Sequence, residues 1–310
     1  MGLFDKLKDP VFIKKETSAL KQLEALKSLL PNIIEDQREE LEKEIQLLEY
    51  GIKGEEQIAF ELSHSHMPMY ILHDVCLKQN DLSAQIDFIV ITRWHNYVIE
   101  CKNLYGDISI DNSGAFTRDL HFGKYHRKEG IYSPYTQNQR HFDLIKELFF
   151  DSKKPSILKF AAEKLNAFEG IYKNVIVLAN PKTVLKAEKA PREIRDRIIR
   201  ADQLISCIKK TDEDHTWGPS SDNDMKELAK AFLSLHKEPD CDYSSKYITS
   251  NPKIDKVIKC PKCGADMVIR KATKGDNAGK EFYGCSNFPK CHQTIDLNSP
   301  LLKDDYDYFR

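Results

Sequence analysis

The chain has 310 residues, of which 41% are hydrophobic and 31% charged, and its formal net charge is −1. This composition is typical of a soluble globular protein with about two domains, and the near-zero charge means that any basic surface must be local. The sequence has no apolar run near the roughly 20 residues that span a bilayer and no signal-peptide pattern, so we expect a cytoplasmic protein without a membrane partner.

Residues 1–50 have the pattern of amphipathic helices. Leu20, Leu23 and Leu26 recur at helical spacing, Pro31 interrupts the pattern, and Ile45 continues it among Glu, Lys and Gln residues. We expect an N-terminal helical arm, formed by a helical hairpin or a bent helix pair. The sequence leaves open whether this arm packs on the next domain, forms a short coiled coil or recruits a protein partner.

Residues 51–210 alternate between helical and strand patterns. Gly51 and Gly54 open a predicted helix that ends near Leu62, and the run 173–179 is typical of a fully buried strand. Further strands are predicted at 69–75, 86–92, 97–102 and 106–110, and further helices at 142–150 and 192–210. The pattern predicts an α/β domain with a central sheet.

The rest of the chain is more polar. Residues 211–256 are rich in turn-forming residues, and they predict a linker with a short helix near 224–236. A second, small domain is predicted at 257–300, and the aspartates of 301–310 indicate an acidic tail.

Two carboxylates and a lysine lie near the ends of two apolar strands. Glu100 and Lys102 share a strand face because they are two residues apart, and a β-hairpin would place Asp87 beside Glu100. Buried charges of this kind need partners or a cation. They suit phosphodiester hydrolysis dependent on Mg²⁺ or Mn²⁺, with Asp87 and Glu100 as ligands and Lys102 orienting water or stabilising phosphate charge. An exposed salt bridge on a hairpin would give the same pattern.

The order of several spaced motifs favours the catalytic interpretation. They resemble the NERD, or nuclease-related, domain of the PD-(D/E)XK nuclease superfamily: Gly51-x2-Gly54-Glu55, Gln85-Ile-Asp87, Val98-Ile-Glu100-Cys-Lys102-Asn103 and Pro134-x2-Gln137-Asn138-x2-His141. The resemblance spans about residues 51–150 and implies a restriction-endonuclease-like mixed sheet flanked by helices. It also implies catalytic roles for Glu55, Asp87, Glu100 and Lys102, and supporting roles for Gln85, Gln137, Asn138 and His141.

Four cysteines near the C-terminus have the spacing of a zinc site. Cys260 and Cys263 form one CxxC pair, and Cys285 and Cys291 form a second pair after 21 intervening residues. Four thiolates close a tetrahedron, so we expect one structural zinc ion without an open catalytic position. The alternatives are buried unpaired thiols, a redox-active CxxC pair, or replacement of one ligand by His292.

Basic and aromatic side chains alternate around these cysteines. The combination suits a nucleic-acid strand, because the charges hold phosphates and the rings stack on bases. The candidate contact residues are Arg270, Lys274, Lys280, Phe282, Tyr283 and Phe288. An alternative is a solvated ribbon that uses its aromatic residues as a small core.

The segments Cys260-Pro-Lys-Cys263-Gly and Phe282-Tyr-Gly-Cys285-Ser-Asn-Phe-Pro-Lys-Cys291 resemble the C-terminal zinc fingers of type IA DNA topoisomerases. The resemblance covers about 40 residues and implies contact with DNA rather than strand passage. The combined prediction is a metal-dependent nuclease, active in DNA processing or repair, whose zinc ribbon binds the substrate. The alternative is a non-catalytic binding or repair-accessory protein that uses a nuclease-like fold as a platform.

Overall fold

The computed structural model describes residues 7–80, 82–122, 125–150, 168–215, 218–239, 243–247, 259–272 and 279–296. The chain divides into two compact units, residues 1–249 and residues 250–310. Within the described ranges, no helix combines the length and the apolar character needed to cross a membrane.

The first unit contains ten strands and seven helices in its described residues. The strands are β1 (Val11–Lys14), β2 (Tyr70–Gln79), β3 (Leu82–Ile91), β4 (Asn96–Lys102), β5 (Asp107–Ile110), β6 (Phe116–Phe122), β7 (Tyr125–Ile131), β8 (Tyr172–Leu178), β9 (Leu185–Lys186) and β10 (Ile198–Arg200). The helices are α1 (Ser18–Leu29), α2 (Glu35–Ser63), α3 (Pro134–Phe150), α4 (Phe168–Ile171), α5 (Arg192–Arg195), α6 (Leu204–Glu213) and α7 (Asp222–Leu235).

A mixed six-stranded sheet organises this unit, in the order β1-β2-β3-β4-β8-β10. Strands β2, β3 and β4 are antiparallel neighbours, whereas β8 runs parallel to β4 and β10 runs parallel to β8. A second, four-stranded sheet has the order β7-β6-β5-β9. Strand β5 begins five residues after the end of β4, so the turn between them brings the two sheets together beside the C-terminal end of β4.

Helices cover both faces of the six-stranded sheet. On one face, Phe149 of α3 and Phe232 of α7 pack against Ile89 and Val98 of the central strands. On the other face, α2 and α6 pack against Phe88 and its neighbours. Burial on both faces explains why the central strands are almost continuously apolar. The predicted α/β class, with a mixed sheet flanked by helices and preceded by an N-terminal helical region, is confirmed.

The helical prediction for residues 1–50 is incomplete. Residues Val11–Lys14 form strand β1, which pairs in parallel with β2 at the edge of the sheet. Helix α2 runs without interruption through the predicted boundary between residues 50 and 51. It starts at Glu35 rather than at Gly51, because the preceding Glu, Lys and Leu residues are strong helix formers that continue into the predicted α/β domain.

The single helix predicted at 192–210 is also wrong. The segment divides into α5, strand β10 and α6, with a 3-10 turn at Ala201–Gln203. Ile198 and Ile199 pair with Ile176 and Val177 of β8. Tertiary pairing of β-branched residues at the sheet edge therefore overrides the local helical pattern.

The second unit contains a three-stranded antiparallel ribbon in its described residues. Its strands are β11 (Met267–Lys271), β12 (Glu281–Cys285) and β13 (Thr294–Asp296), with β12 in the centre. A small core of Met267, Tyr283 and Ile295 packs with three of the cysteines. The predicted acidic tail at 301–310 lies outside the described residues.

The two glycines of α2 provide a test of this packing. A Cβ atom at position 54 would lie 2.6 Å from Asn103 Cβ and 3.2 Å from Cys101 Sγ, whereas nothing lies within 4 Å of a Cβ atom at position 51. We expect Gly54→Ala to lower the free energy of unfolding by about 1–3 kcal/mol through overpacking. Gly51→Ala should raise it by about 0.5–1 kcal/mol, since alanine is the better helix former.

Urea denaturation of the two variants beside the unchanged protein measures both effects. Equal shifts for Gly51→Ala and Gly54→Ala would contradict the close approach of α2 to the end of β4.

Candidate nuclease-like site and zinc ribbon

The predicted carboxylates meet where β3 and β4 separate. The antiparallel pairing ends at Phe88 and Ile99, and Asp87 and Glu100 are the next residues along the two strands. Asp87 Oδ2 accepts a hydrogen bond of 2.6 Å from the backbone N–H of Cys101. The Asp87 side chain thus takes the place of the next backbone hydrogen bond between the strands, which fixes its carboxylate beside Glu100.

Glu100 is the most deeply buried acidic side chain in the part of the chain that the structure describes, with 1% of its surface exposed. Its Oε1 accepts a hydrogen bond of 2.5 Å from Lys102 Nζ, which confirms that the two residues share a strand face. Its Oε2 is buried without a hydrogen-bond partner. His141 Nδ1 lies 3.3 Å from this oxygen, but both atoms lack a hydrogen bond, so the contact is close without being aligned.

Glu55 enters the site from α2 and is held by a histidine that the sequence did not single out. His73 Nε2 lies 2.7 Å from Glu55 Oε2, and His73 Nδ1 lies 3.2 Å from the backbone oxygen of Lys15. The imidazole ring stacks on Phe88 with ring centroids 4.3 Å apart. His73 therefore fixes the third carboxylate. The available signal was the pair of polar residues, His73 and Asp74, in the middle of an apolar run.

Gln85 supports the site through a buried aspartate. Its Nε2 donates to Asp74 Oδ1 at 2.7 Å and to Ser18 Oγ at 3.2 Å. Asp74 also accepts the backbone N–H of Ser18, the first residue of α1, and it adopts a left-handed conformation with φ of 57° inside β2. This network ties the N-terminal helix to the hairpin that carries Asp87.

The three predicted residues of α3 have different surroundings. Gln137 and His141 line the same cleft as the carboxylates. Asn138 is fully buried and does not face the cleft, because its Nδ2 donates to the backbone oxygens of Val98 and Val175 and to Asn174 Oδ1. Asn138 thus links α3 to β4 and β8, and its support for the site is structural.

The carboxylates and Lys102 open into a cleft of about 1060 Å³. Helix α2 forms one side of the cleft, α3 contributes Gln137 and His141, and β6 of the second sheet contributes Arg118 and Leu120. The oxygens of Glu55, Asp87 and Glu100 do not all lie within 4.8 Å of one another, as judged over the described residues. Asp87 and Glu100 lie side by side just beyond the last paired residues of β3 and β4, and Glu55 reaches the same cleft from α2.

The charges of the site shift each other's protonation. Burial, together with the charges of Glu100 and Glu55, raises the pKa of Asp87 well above its usual range. Burial by itself would lower the pKa of Lys102, but the neighbouring Glu100 carboxylate outweighs burial and raises it. When all three carboxylates are ionised, they exceed the single ammonium in charge, and a bound cation would favour that ionised state.

The residues present fit a divalent metal ion. Carboxylate oxygens are the donors that Mg²⁺ and Mn²⁺ prefer. Glu100 Oε2 is a buried acceptor without a donor, and such an atom costs free energy unless something binds it. Asp87 and Glu100 are the residues that would hold the ion.

The four cysteines of the ribbon come together as predicted. Their Sγ atoms all lie within 4.8 Å of one another, with 3.8 Å between Cys260 and Cys291 and 3.4 Å between Cys263 and Cys285. Tetrahedral zinc with Zn–S bonds of about 2.3 Å requires sulfur atoms about 3.8 Å apart. His292 lies outside this cluster and packs edge-on against Phe288. The donor set fits one structural zinc ion.

Backbone N–H groups favour the thiolate form of Cys260, the form that binds metal. Burial raises the pKa of Cys260, but the backbone N–H groups of Lys262 and Cys263 outweigh burial and lower it to about 7. Burial raises the pKa of Cys285 to about 12. Zinc binds thiolates, so its binding would have to release the proton that Cys285 retains.

Only some of the predicted nucleic-acid contacts of the ribbon lie together on its surface. Arg270, Phe282 and Phe288 line a small cavity of about 250 Å³, and the Arg270 guanidinium lies 5.5 Å from the centre of the half-exposed Phe288 ring. Lys280 is exposed. Tyr283 is only 5% exposed and belongs to the ribbon core, which disagrees with its predicted stacking role. Lys274 lies outside the described residues.

Comparison with known proteins agrees with both sites. Residues 50–178 match the family model of the nuclease-related domain (NERD), and residues 257–300 match that of the topoisomerase DNA binding C4 zinc finger. The curated relatives include DNA topoisomerase 1 of Archaeoglobus fulgidus, 38% identical over 72 residues that cover 23% of this chain and 10% of that protein. DNA topoisomerase 1 of Pyrococcus furiosus is 53% identical over 41 residues, which cover 13% of this chain and 4% of that protein.

This chain thus spans a tenth or less of the length of these relatives. No solved structure matches the chain. The geometry of the cleft and of the cysteine cluster agrees with the two family matches. The chain therefore carries a nuclease-related domain at residues 50–178, followed by a topoisomerase-type C4 zinc ribbon at residues 257–300.

Proposed function

We propose that this protein is a metal-dependent nuclease that hydrolyses phosphodiester bonds in nucleic acid, with DNA as the favoured substrate. The observation that carries the proposal is Glu100 Oε2, a buried carboxylate oxygen without a hydrogen bond, beside Asp87 in an open cleft. The match of this segment to the nuclease-related domain supports the same assignment. DNA is favoured because the ribbon matches a DNA-binding zinc finger.

The proposed roles follow from the positions of the side chains. Asp87 and Glu100 would hold a Mg²⁺ or Mn²⁺ ion, which would supply Lewis-acid activation of the scissile phosphate and of water. Lys102 approaches the same point from two residues further along β4, where its ammonium orients water or stabilises charge on the phosphate oxygens. Glu55, fixed by His73, adds a third carboxylate at the edge of the site.

The ribbon has an accessory role in this proposal. Its closed set of four thiolates leaves no position for catalysis, so the zinc ion stabilises the fold of the ribbon. Arg270, Lys280, Phe282 and Phe288 then hold the substrate strand by charge and by stacking. A role in DNA processing or repair, a cytoplasmic location and a protein partner for the N-terminal helices stay predictions.

Cleavage assays test the catalytic proposal. We expect the unchanged protein to cut DNA in Mg²⁺ or Mn²⁺, and Glu100→Gln or Lys102→Ala to lower the rate at least about 100-fold, since each removes a group that stabilises the transition state. Glu55→Gln should also lower the rate. Its matched control is Glu56→Gln, because Glu56 is the next residue of α2 and is exposed to solvent.

Single-stranded, duplex and branched DNA are each incubated with every variant, and melting curves confirm folding. Equal rates for the unchanged protein, Glu100→Gln and Lys102→Ala would refute catalysis at this site. Salt-sensitive DNA binding that survives Asp87→Asn, without cleavage of any substrate, would instead support the alternative of a non-catalytic binding platform.

Metal analysis tests the ribbon separately. We expect about one zinc ion per chain by mass spectrometry, and its loss in Cys285→Ser because three thiolates no longer close the tetrahedron. Cys207→Ser is the matched control, since Cys207 lies in α6 of the other unit. Unchanged zinc content in Cys285→Ser would contradict the four-cysteine site.

A further inference from the structure

Two half-exposed tyrosines line the cleft that holds the carboxylates. Tyr50 is 48% exposed and lies on α2 five residues before Glu55, and Tyr105 is 49% exposed and follows Lys102 by three residues. Tyr50 and Gly51 lie three and four positions after Leu47 and share one helix face with it. All three line the cleft together with Glu55. The rings of Tyr50 and Tyr105 therefore line the same cleft as the carboxylates and Lys102.

The charges along the cleft do not suit a duplex. Its lining has three carboxylates, Glu55, Asp87 and Glu100, against two cations, Lys102 and Arg118. Both cations already have acidic partners, because Lys102 pairs with Glu100 and Arg118 pairs with Glu129. Duplex binding depends mainly on neutralising phosphates with free cations, and paired bases offer no open face to an aromatic ring.

Unpaired bases would complement this lining. Exposed aromatic rings bind single strands because every base has a face on which a ring can stack. Lys53 Nζ lies 6.0 Å from the centre of the Tyr50 ring, which places one cation outside the carboxylate cluster, where a phosphate could pass. The ribbon has the same combination independently, in Arg270 over the exposed Phe288 ring.

We propose that the substrate of the cleft is a single-stranded segment of nucleic acid, whose unpaired bases stack on Tyr50 and Tyr105 beside the carboxylate pair. The inference rests on the proposed function because it names the substrate of the same site. Binding is measured without cleavage, so the substrate class and the nuclease activity can be refuted independently.

The test measures binding of matched single-stranded and duplex DNA to the full-length, zinc-loaded protein in buffer without Mg²⁺ or Mn²⁺. All variants carry Phe288→Ala, which weakens the contribution of the ribbon and exposes that of the cleft. We expect Tyr50→Ala and Tyr105→Ala each to weaken single-strand binding by about tenfold and to change duplex binding by less than about twofold. Tyr50→Phe should retain binding, since the ring remains.

Phe60→Ala is the matched control. Phe60 is a 55% exposed aromatic residue of the same helix that does not line the cleft, so its replacement should leave single-strand binding unchanged. A second measurement uses an oligonucleotide with a fluorescent base analogue, whose quenching by stacking should fall in Tyr50→Ala and persist in Tyr50→Phe.

Three outcomes would overturn the inference: tighter binding of duplex than of single strands, equal losses for both in the tyrosine variants, or losses no larger than those of Phe60→Ala. The binding buffer lacks Mg²⁺ and Mn²⁺, so cleavage is measured separately in the assays described above. A protein that binds single strands through Tyr50 and Tyr105 yet cuts no DNA would support the substrate class and refute the nuclease.

Discussion

The half-satisfied Glu100 carboxylate is the constraint on which the rest of the site depends. A buried carboxylate is costly unless each oxygen has a partner, yet Lys102 satisfies only Oε1 and leaves Oε2 without a hydrogen bond. The surrounding fold maintains this arrangement. Asp87 is fixed by the backbone of Cys101, and Asn138 ties α3 to β4 and β8 behind the carboxylates. A bound cation would offset the cost of this arrangement.

In our proposal, the chain uses two metal chemistries for two purposes. The oxygen donors of the cleft would leave room for a substrate, whereas the four sulfur donors of the ribbon would enclose their ion. In the sequence, the spacing of the four ribbon cysteines is the most specific functional signal. In our account the contribution of the ribbon is to select nucleic acid, while the chemistry lies in the cleft. The N-terminal segment also contributes to the cleft, since Ser18 contacts the network of Asp74 and Gln85.

Local patterns were sufficient to predict the central strands, the pairing of Asp87 with Glu100 and the cysteine cluster. These features depend on neighbours in sequence or on a simple hairpin. Strands β6 and β7 were missed because their polar residues resemble a loop, and β10 was missed because its pairing with β8 is tertiary. His73 and Asp74 were missed for the same reason, since their partners lie 18 and 56 residues away. The family resemblance identified Asn138 as a supporting residue. It could not show that Asn138 is buried and joins α3 to the sheet rather than lining the cleft.

Direct measurement of Mn²⁺ binding tests the central claim, that Asp87 and the open oxygen of Glu100 form a divalent cation site. Electron paramagnetic resonance titration of the zinc-loaded protein should find about one bound Mn²⁺ per chain, lost or much weakened in Glu100→Gln and in Asp87→Asn, and retained in Glu56→Gln. Equal Mn²⁺ binding in all of these proteins, or none in the unchanged protein, would contradict the account.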